Sequence, residues 1–128
     1  MCPDEWIAAL GFGGYDEEAR RRIEALQWTL AQELLEAGKN VILEFGFWSR
    51  MERDQMRESA RAMGASVELR YCRVPLDVLW ARLEARNQSL DEATFAVRRE
   101  DLETWATEYF EEPDEEELRL FDDPIANA

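Results

Sequence analysis

Apolar residues in the first half of the chain recur with two different periods. Between Asp16 and Ala37 the positions Ala19, Ile23, Leu26, Leu30 and Leu34 fall three and four apart, the spacing of one helical face. Asp16 can cap this helix, Glu17 and Glu18 suit its first turn, and Gly38 can end it. Val41 to Phe47 then reads as an extended segment, apolar on both alternating faces apart from Glu44, the pattern of a strand covered on both sides. An unpaired carboxylate in such an interior costs several kcal/mol, so Glu44 is expected to need a partner. Ser49 and Glu52 are spaced as a capping box, opening a helix that runs to Met63 and stops at Gly64. "SVELRYCRV", residues 66 to 74, reads as a second strand.

Strand, helix, strand makes a βαβ unit with parallel strands, so the expected class is α/β. Beyond Pro75 a short helix spans Leu76 to Arg86, "NQSLDEAT" at 87–94 reads as a loop, and a further helix runs from about Arg98 to Phe110 with Leu102 and Trp105 inward. Asp4 reads as the N-cap of a short amphipathic helix in "DEWIAALGF". The expected organisation is one domain over residues 1–121 with a flexible tail over 122–128.

Charge changes this picture in one region. The net charge of −14 is concentrated in residues 100–123, where twelve acids face one base, Arg119; residues 1–99 carry only −3. That segment fits a solvated helix and tail better than nucleic-acid mimicry. With no histidine and only Cys2 and Cys72, zinc sites and histidine-based triads are excluded. Chemistry is left to carboxylates, arginines, hydroxyls, backbone amides or a hard cation such as Mg²⁺. No apolar run approaches the roughly 20 residues of a membrane helix, and the start lacks the basic residues of a signal peptide, which points to the cytoplasm.

The basic residues are fourteen arginines and one lysine, and arginine's planar fork suits phosphate or carboxylate. Arg50, Arg53, Arg57 and Arg61 share one helix face, where interleaved Glu52, Asp54 and Glu58 favour an ion-paired, solvated surface. Arg50 stands apart because it opens its helix beside the carboxyl edge of the preceding strand, where α/β ligands bind. Arg82, Arg86, Arg98 and Arg99 read either as outward charges or as a lid closing over a triphosphate. Neither "GFGG" at 11–14 nor "GKN" at 38–40 is a phosphate loop: the first has no lysine, and the second joins helix to strand.

In order along the chain, "DEWIAALGF…YD", "VILEFGFWSRMERD", "YCRVPLDVLWARLEARN", "TFAVRREDLETW" and "FEEPDEEEL" resemble AAA-family ATP-binding proteins that are P-loop kinases of the zeta-toxin and chloramphenicol-phosphotransferase kind. The resemblance implies a partial P-loop kinase-like parallel sheet flanked by helices, with the first strand and the G-x-x-x-x-G-K-[ST] loop absent from these residues, and with ATP and Mg²⁺ as cofactors of the complete form. It implies that Asp4 orients or deprotonates the acceptor hydroxyl and that Glu44 is the metal-side acid. Arg50 and Trp48 would meet a small-molecule or nucleotide acceptor, and Arg86, Arg98 and Arg99 would be lid residues on the transferring phosphoryl group. Lacking the glycine-rich cradle and its lysine, the chain alone is expected to be inactive. The alternative is a non-catalytic interaction module, a homodimer through open strand edges included, or one using the acidic C-terminal segment.

Overall fold

A computed structural model describes residues 1–90 and 95–124. The elements are α1 (Pro3–Ala9), α2 (Glu17–Glu36), α3 (Arg50–Ala62), α4 (Leu76–Asn87), α5 (Arg99–Thr104), which continues as a π-helical turn through Trp105–Tyr109, and α6 (Glu115–Leu118). Asp16 Oδ1 accepts from the Ala19 amide at 2.9 Å, and Ser49 and Glu52 close a reciprocal capping box at 3.1 and 3.2 Å. Gly38 and Gly64 end α2 and α3 at φ +74° and +84°, the left-handed conformation a side chain resists. Within the predicted 87–94 loop, residues 91–94 lie outside the described residues, as do 125–128 of the predicted tail. None of the helices described is long and apolar enough to cross a membrane.

The expected parallel sheet is absent: the described residues contain no β-strand. A strand needs a ladder of backbone partners. In Val41 to Phe47 the only inter-segment pairing described is with Met1, whose amino group donates to Ile42 O and whose carbonyl accepts from Glu44 N at 2.8 Å. Residues 66–75 bond through Val67 to Asp122, and no backbone hydrogen bond among the described residues joins the two segments. The βαβ unit therefore has its helix and its extended arms but no ladder.

The missing ladder also changes burial along 41–48. Val41, Leu43, Phe45 and Phe47 are half-buried while Ile42, Glu44, Gly46 and Trp48 are exposed, with Ile42 at 74%. This alternation is that of a segment covered on one face only. Glu44 is thus solvated rather than entombed, and the burial cost expected for it does not arise.

On α2 the buried positions are Ala19, Ile23, Gln27 and Ala31, a stripe of four-residue steps that packs on α1, whereas Leu26 and Leu30 face outward. Gln27, fully buried, donates through Nε2 to Cys2 O at 3.2 Å and so fixes the chain start to α2. The buried apolar residues described are few: Ile7, Ala19, Ile23, Ala31, Ala60, Val97 and Leu102. Accessible surface is 9188 Å². A compact monomer of this mass shows about 7,000 Å².

The C-terminal segment lies along the arginine face of α3. Arg53, 3% exposed, donates to both carboxylate oxygens of Glu117, to Phe47 O and Trp48 O, and to Glu111 O. Arg57, 7% exposed, holds Asp54 at 2.6 Å and lies 5.2 Å over the Phe121 ring, and Arg61 donates to Leu120 O at 2.6 Å. The solvated, surface-paired face expected for these arginines is corrected at Arg53 and Arg57. Arg53 is covered because Glu117 and Glu111 O of an acidic strap join the Phe47 and Trp48 carbonyls around its guanidinium, and Arg57 because Asp54 on its own helix and the Phe121 ring of the strap enclose it; a buried charge is tolerable only when so satisfied.

Candidate functional site: an acidic, aromatic-walled cleft

At the end of the 41–47 segment the chain turns sharply. Phe47 sits at φ +46°, in the left-handed region that a bulky residue adopts at a cost of order 1–3 kcal/mol. Arg53 holds this turn by bonding the Phe47 and Trp48 carbonyls at 2.7 and 3.2 Å. The Trp48 indole folds back over Gly46, where a Cβ would lie 2.8 Å from its Nε1. The turn thereby aims Trp48 into a cleft of about 950 Å³ between α1, α2, α3 and the 95–109 segment.

Four sequence-predicted residues meet in this cleft: Asp4, Glu44, Trp48 and Arg86 all line it. Asp4 lies in the first turn of α1, whose N-cap is Cys2, so it is not the cap that the sequence suggested. Its Oδ1 is 2.8 Å from Arg20 Nη1. No donor is aligned on that buried oxygen closely enough to form a hydrogen bond, so the pair is held by charge. Arg86, in the last turn of α4, donates weakly to Phe95 O at 3.4 Å and has no carboxylate partner among the described residues.

The other three do not line the cleft. Arg50 lies 3.5 Å from Asp54, 3.9 Å from Asp114 and 4.0 Å from Glu117, turned toward the acidic strap. Arg98 makes two bonds to Asp101 at 2.7 and 3.1 Å, and Arg99 bonds Glu103 at 2.9 Å and lies 5.8 Å over the Trp80 ring. The Arg98 guanidinium, followed by the Tyr15 hydroxyl, holds the Asp101 carboxyl below its usual range.

Several residues of the site were not foreseen in the sequence. Tyr15 donates to Asp101 at 2.7 Å and accepts from the Arg98 amide at 3.2 Å. Asn87 clamps Val97 through both ends of its amide, at 2.8 and 3.1 Å, fixing the 95–98 segment to α4. Arg20 bonds Gly14 O at 3.4 Å and lies 5.8 Å from the Phe95 centroid, besides holding Asp4. Phe95 approaches Gly14 so closely that a Cβ there would fall 2.1 Å from its ring. Trp105 stands 5.6 Å from Trp48 and 6.0 Å from Tyr15. Glu24, half-buried, has its carboxyl pushed up by burial; Arg20 opposes this, and Glu52, Glu17 and Asp4 add to it. Apart from Trp105, whose inward position its helical spacing signals, none of these carries a spacing signature, since each is defined by contacts between segments distant in sequence.

Residues 3–113 match a family model described as an AAA domain. The chain belongs to that family. Its kinase-like members are P-loop proteins, and the match covers every cleft-lining segment from Asp4 to Tyr109. No curated protein and no solved structure gives a significant match.

Family membership raises the question of Mg²⁺. Among the described residues no group of three or more Cys, Asp or Glu side chains is placed to hold a metal ion. Glu44 offers one carboxylate on an open face. The residues present thus do not form a protein cage for Mg²⁺, which usually relies on one or two carboxylates plus substrate phosphates and water.

Proposed function

We propose that this chain carries the acceptor-binding and lid portion of an ATP-dependent phosphotransferase of the zeta-toxin and chloramphenicol-phosphotransferase kind, acting on a small-molecule or nucleotide hydroxyl. The observation that supports this best is the convergence of Asp4, Glu44, Trp48 and Arg86 on one cleft, although they come from four separate stretches of sequence. Asp4 is the group suited to take the hydroxyl proton: Arg20 holds its Oδ1, and no hydrogen bond to its Oδ2 is found among the described residues. Trp48 and Trp105 form the wall against which the acceptor lies. Arg86, the lid arginine with no carboxylate partner described, is the one able to meet a developing negative charge.

Phosphoryl transfer is mostly positioning and charge stabilisation of the γ-phosphoryl. The 128 residues hold no G-x-x-x-x-G-K-[ST] cradle, and Arg98 and Arg99 are committed to Asp101 and Glu103. In this reading ATP and Mg²⁺ belong to the domain completed by such a cradle, and the chain alone does not turn over. The test joins a strand–G-x-x-x-x-G-K-[ST]–helix segment ahead of Met1 and compares both forms by ATP titration. The joined form binds ATP, and its phosphoryl transfer to a hydroxyl compound is lost in Asp4→Asn. ATP binding by the 128 residues tighter than about 1 mM, or transfer indifferent to Asp4, overturns the reading.

One observation favours a second reading, an interaction module: among the described residues the extended 41–47 segment has Met1 as its one backbone pairing partner, and Ile42 on it is 74% exposed. Self-association through that edge would show as a concentration-dependent mass. Ile42→Lys, which puts a charge on the exposed edge, would abolish it. A single monomer mass at all concentrations rules this reading out.

A further inference from the structure

The cleft is large enough for a drug-sized ligand, and its charges are unbalanced. Of its bases, Arg20 is paired with Asp4 and Arg21 with Glu18, leaving Arg86. Of its acids, Glu17, Glu24, Glu44 and Glu52 have no cation within 4.0 Å among the described residues, and Glu52 is engaged only in capping α3. Four carboxylates thus face one free guanidinium in a site whose aromatic walls already accept cations: Arg20 lies 5.8 Å from the Phe95 centroid and Arg98 5.5 Å from that of Tyr15. Trp48 and Trp105 have no such cation on their faces among the described residues.

The geometry points to a cationic acceptor: a hydroxyl compound bearing an ammonium group, with the ammonium placed between the Glu24, Glu44 and Glu52 carboxylates and the Trp48 and Trp105 faces. This deepens the acceptor reading above and rests on it. Glu24 is half-buried and gains more from a ligand cation than exposed Glu44 and Glu52 do, and its raised proton affinity has the same origin, burial beside other acids. Tryptophan is the aromatic that attracts a cation best, and the contact strengthens as it is desolvated. A neutral acceptor would leave the half-buried Glu24 carboxylate unneutralised, and an anion would in addition be repelled by all four acids.

Choline and its uncharged carbon isostere 3,3-dimethylbutan-1-ol test this, because they share the hydroxyl and the shape and differ only in charge. Titration of the full chain, followed by tryptophan fluorescence and by calorimetry, is expected to give choline an affinity at least about tenfold above the isostere's. That preference should shrink in Glu24→Gln and Glu52→Gln while weak isostere binding persists, and Trp48→Leu should weaken choline most. Circular dichroism of each variant reports its folding, and either glutamate variant suffices if the other misfolds. Equal binding of the two compounds, or a preference for the isostere, overturns the cationic class while leaving the phosphotransferase reading intact, since that reading needs only a hydroxyl. No binding of either compound also overturns the inference. The Asp4-dependent transfer assay then judges the phosphotransferase reading separately.

Discussion

Arg53 on α3 grips Glu117 on α6 through two parallel hydrogen bonds, Nε to Oε1 at 2.6 Å and Nη2 to Oε2 at 3.0 Å, with both side chains almost wholly buried. The same guanidinium also holds the Phe47 and Trp48 carbonyls, so one side chain ties the acidic strap to the turn that aims Trp48. Removing one partner leaves a buried charge uncompensated, which costs about 3–5 kcal/mol. Glu117→Ala should therefore lower stability by that order in urea unfolding and shift the emission of Trp48. The double variant Arg53→Met, Glu117→Leu should recover part of the loss. A Glu117→Ala cost within about 0.5 kcal/mol, the scale of an ordinary surface change, would show that the strap is not held by this pair.

Acid should loosen the strap and the lid together. Asp54 is depressed by its hydrogen bond from Arg57, Asp101 by that from Arg98 and then Tyr15, and Asp122 by that from the Val67 amide. Each folded-state value lies below the unfolded value of about 3.9. Their contribution is then complete above about pH 4 and disappears as pH falls through the depressed values. The thermal midpoint should fall steeply between about pH 4 and pH 2, and Asp122→Asn should flatten that slope. An unchanged midpoint over this range would contradict the assignment.

Local signals carried most of the helices. The Asp16 and Ser49 caps and the stop glycines Gly38 and Gly64 bracket α2 and α3 because capping is settled within a few residues of sequence. The sheet was misread because β structure is settled by what lies alongside. Val41 to Phe47 has strand composition, yet Met1 is the single pairing partner described for it, so the carboxylate taken for a buried charge, Glu44, faces solvent. The arginine stripe was misread for a related reason. Only the fold brings Glu117, Glu111 and Phe121 over Arg53 and Arg57 from some 60 residues away. In the cleft, Asp4, Glu44, Trp48 and Arg86 came from family-like motifs, whereas Arg20 and Glu24 became visible only through tertiary contacts.

Two glycines set the shape of the cleft, and their substitution should separate its two walls. At Gly14 an added Cβ would overlap the Phe95 ring at 2.1 Å, forcing the 95–98 segment away from α2. Overpacking of this kind typically costs about 1–3 kcal/mol. At Gly46 the Cβ would press on the Trp48 indole at 2.8 Å, a smaller overlap than the one at Gly14 and with a side chain that is itself exposed. Gly14→Ala is thus expected to destabilise more than Gly46→Ala, while Gly46→Ala should shift tryptophan emission and weaken choline binding. Equal stability losses with unchanged emission would count against this division.

Glu24 should trade stability for ligand binding. Burial, with Glu52, Glu17 and Asp4 adding to it and Arg20 opposing, raises its folded-state proton affinity above the unfolded value of about 4.3. Ionising it therefore costs more in the folded chain than in the unfolded one. The penalty is full above the raised value and fades as pH falls through it toward the unfolded value. Glu24→Gln, nearly the same shape without the charge, should be more stable than the parent at pH 7 to 8, with the gap closing by about pH 4. In the same protein choline binding should fall, because the carboxylate that the fold tolerates at a cost is the one a cation would neutralise. Thermal melts of both proteins across this range, with choline titrations at pH 7.5, measure the two effects on one sample. A variant less stable than the parent at pH 7.5 would mean that the ionised Glu24 makes a net stabilising contact and carries no burial penalty.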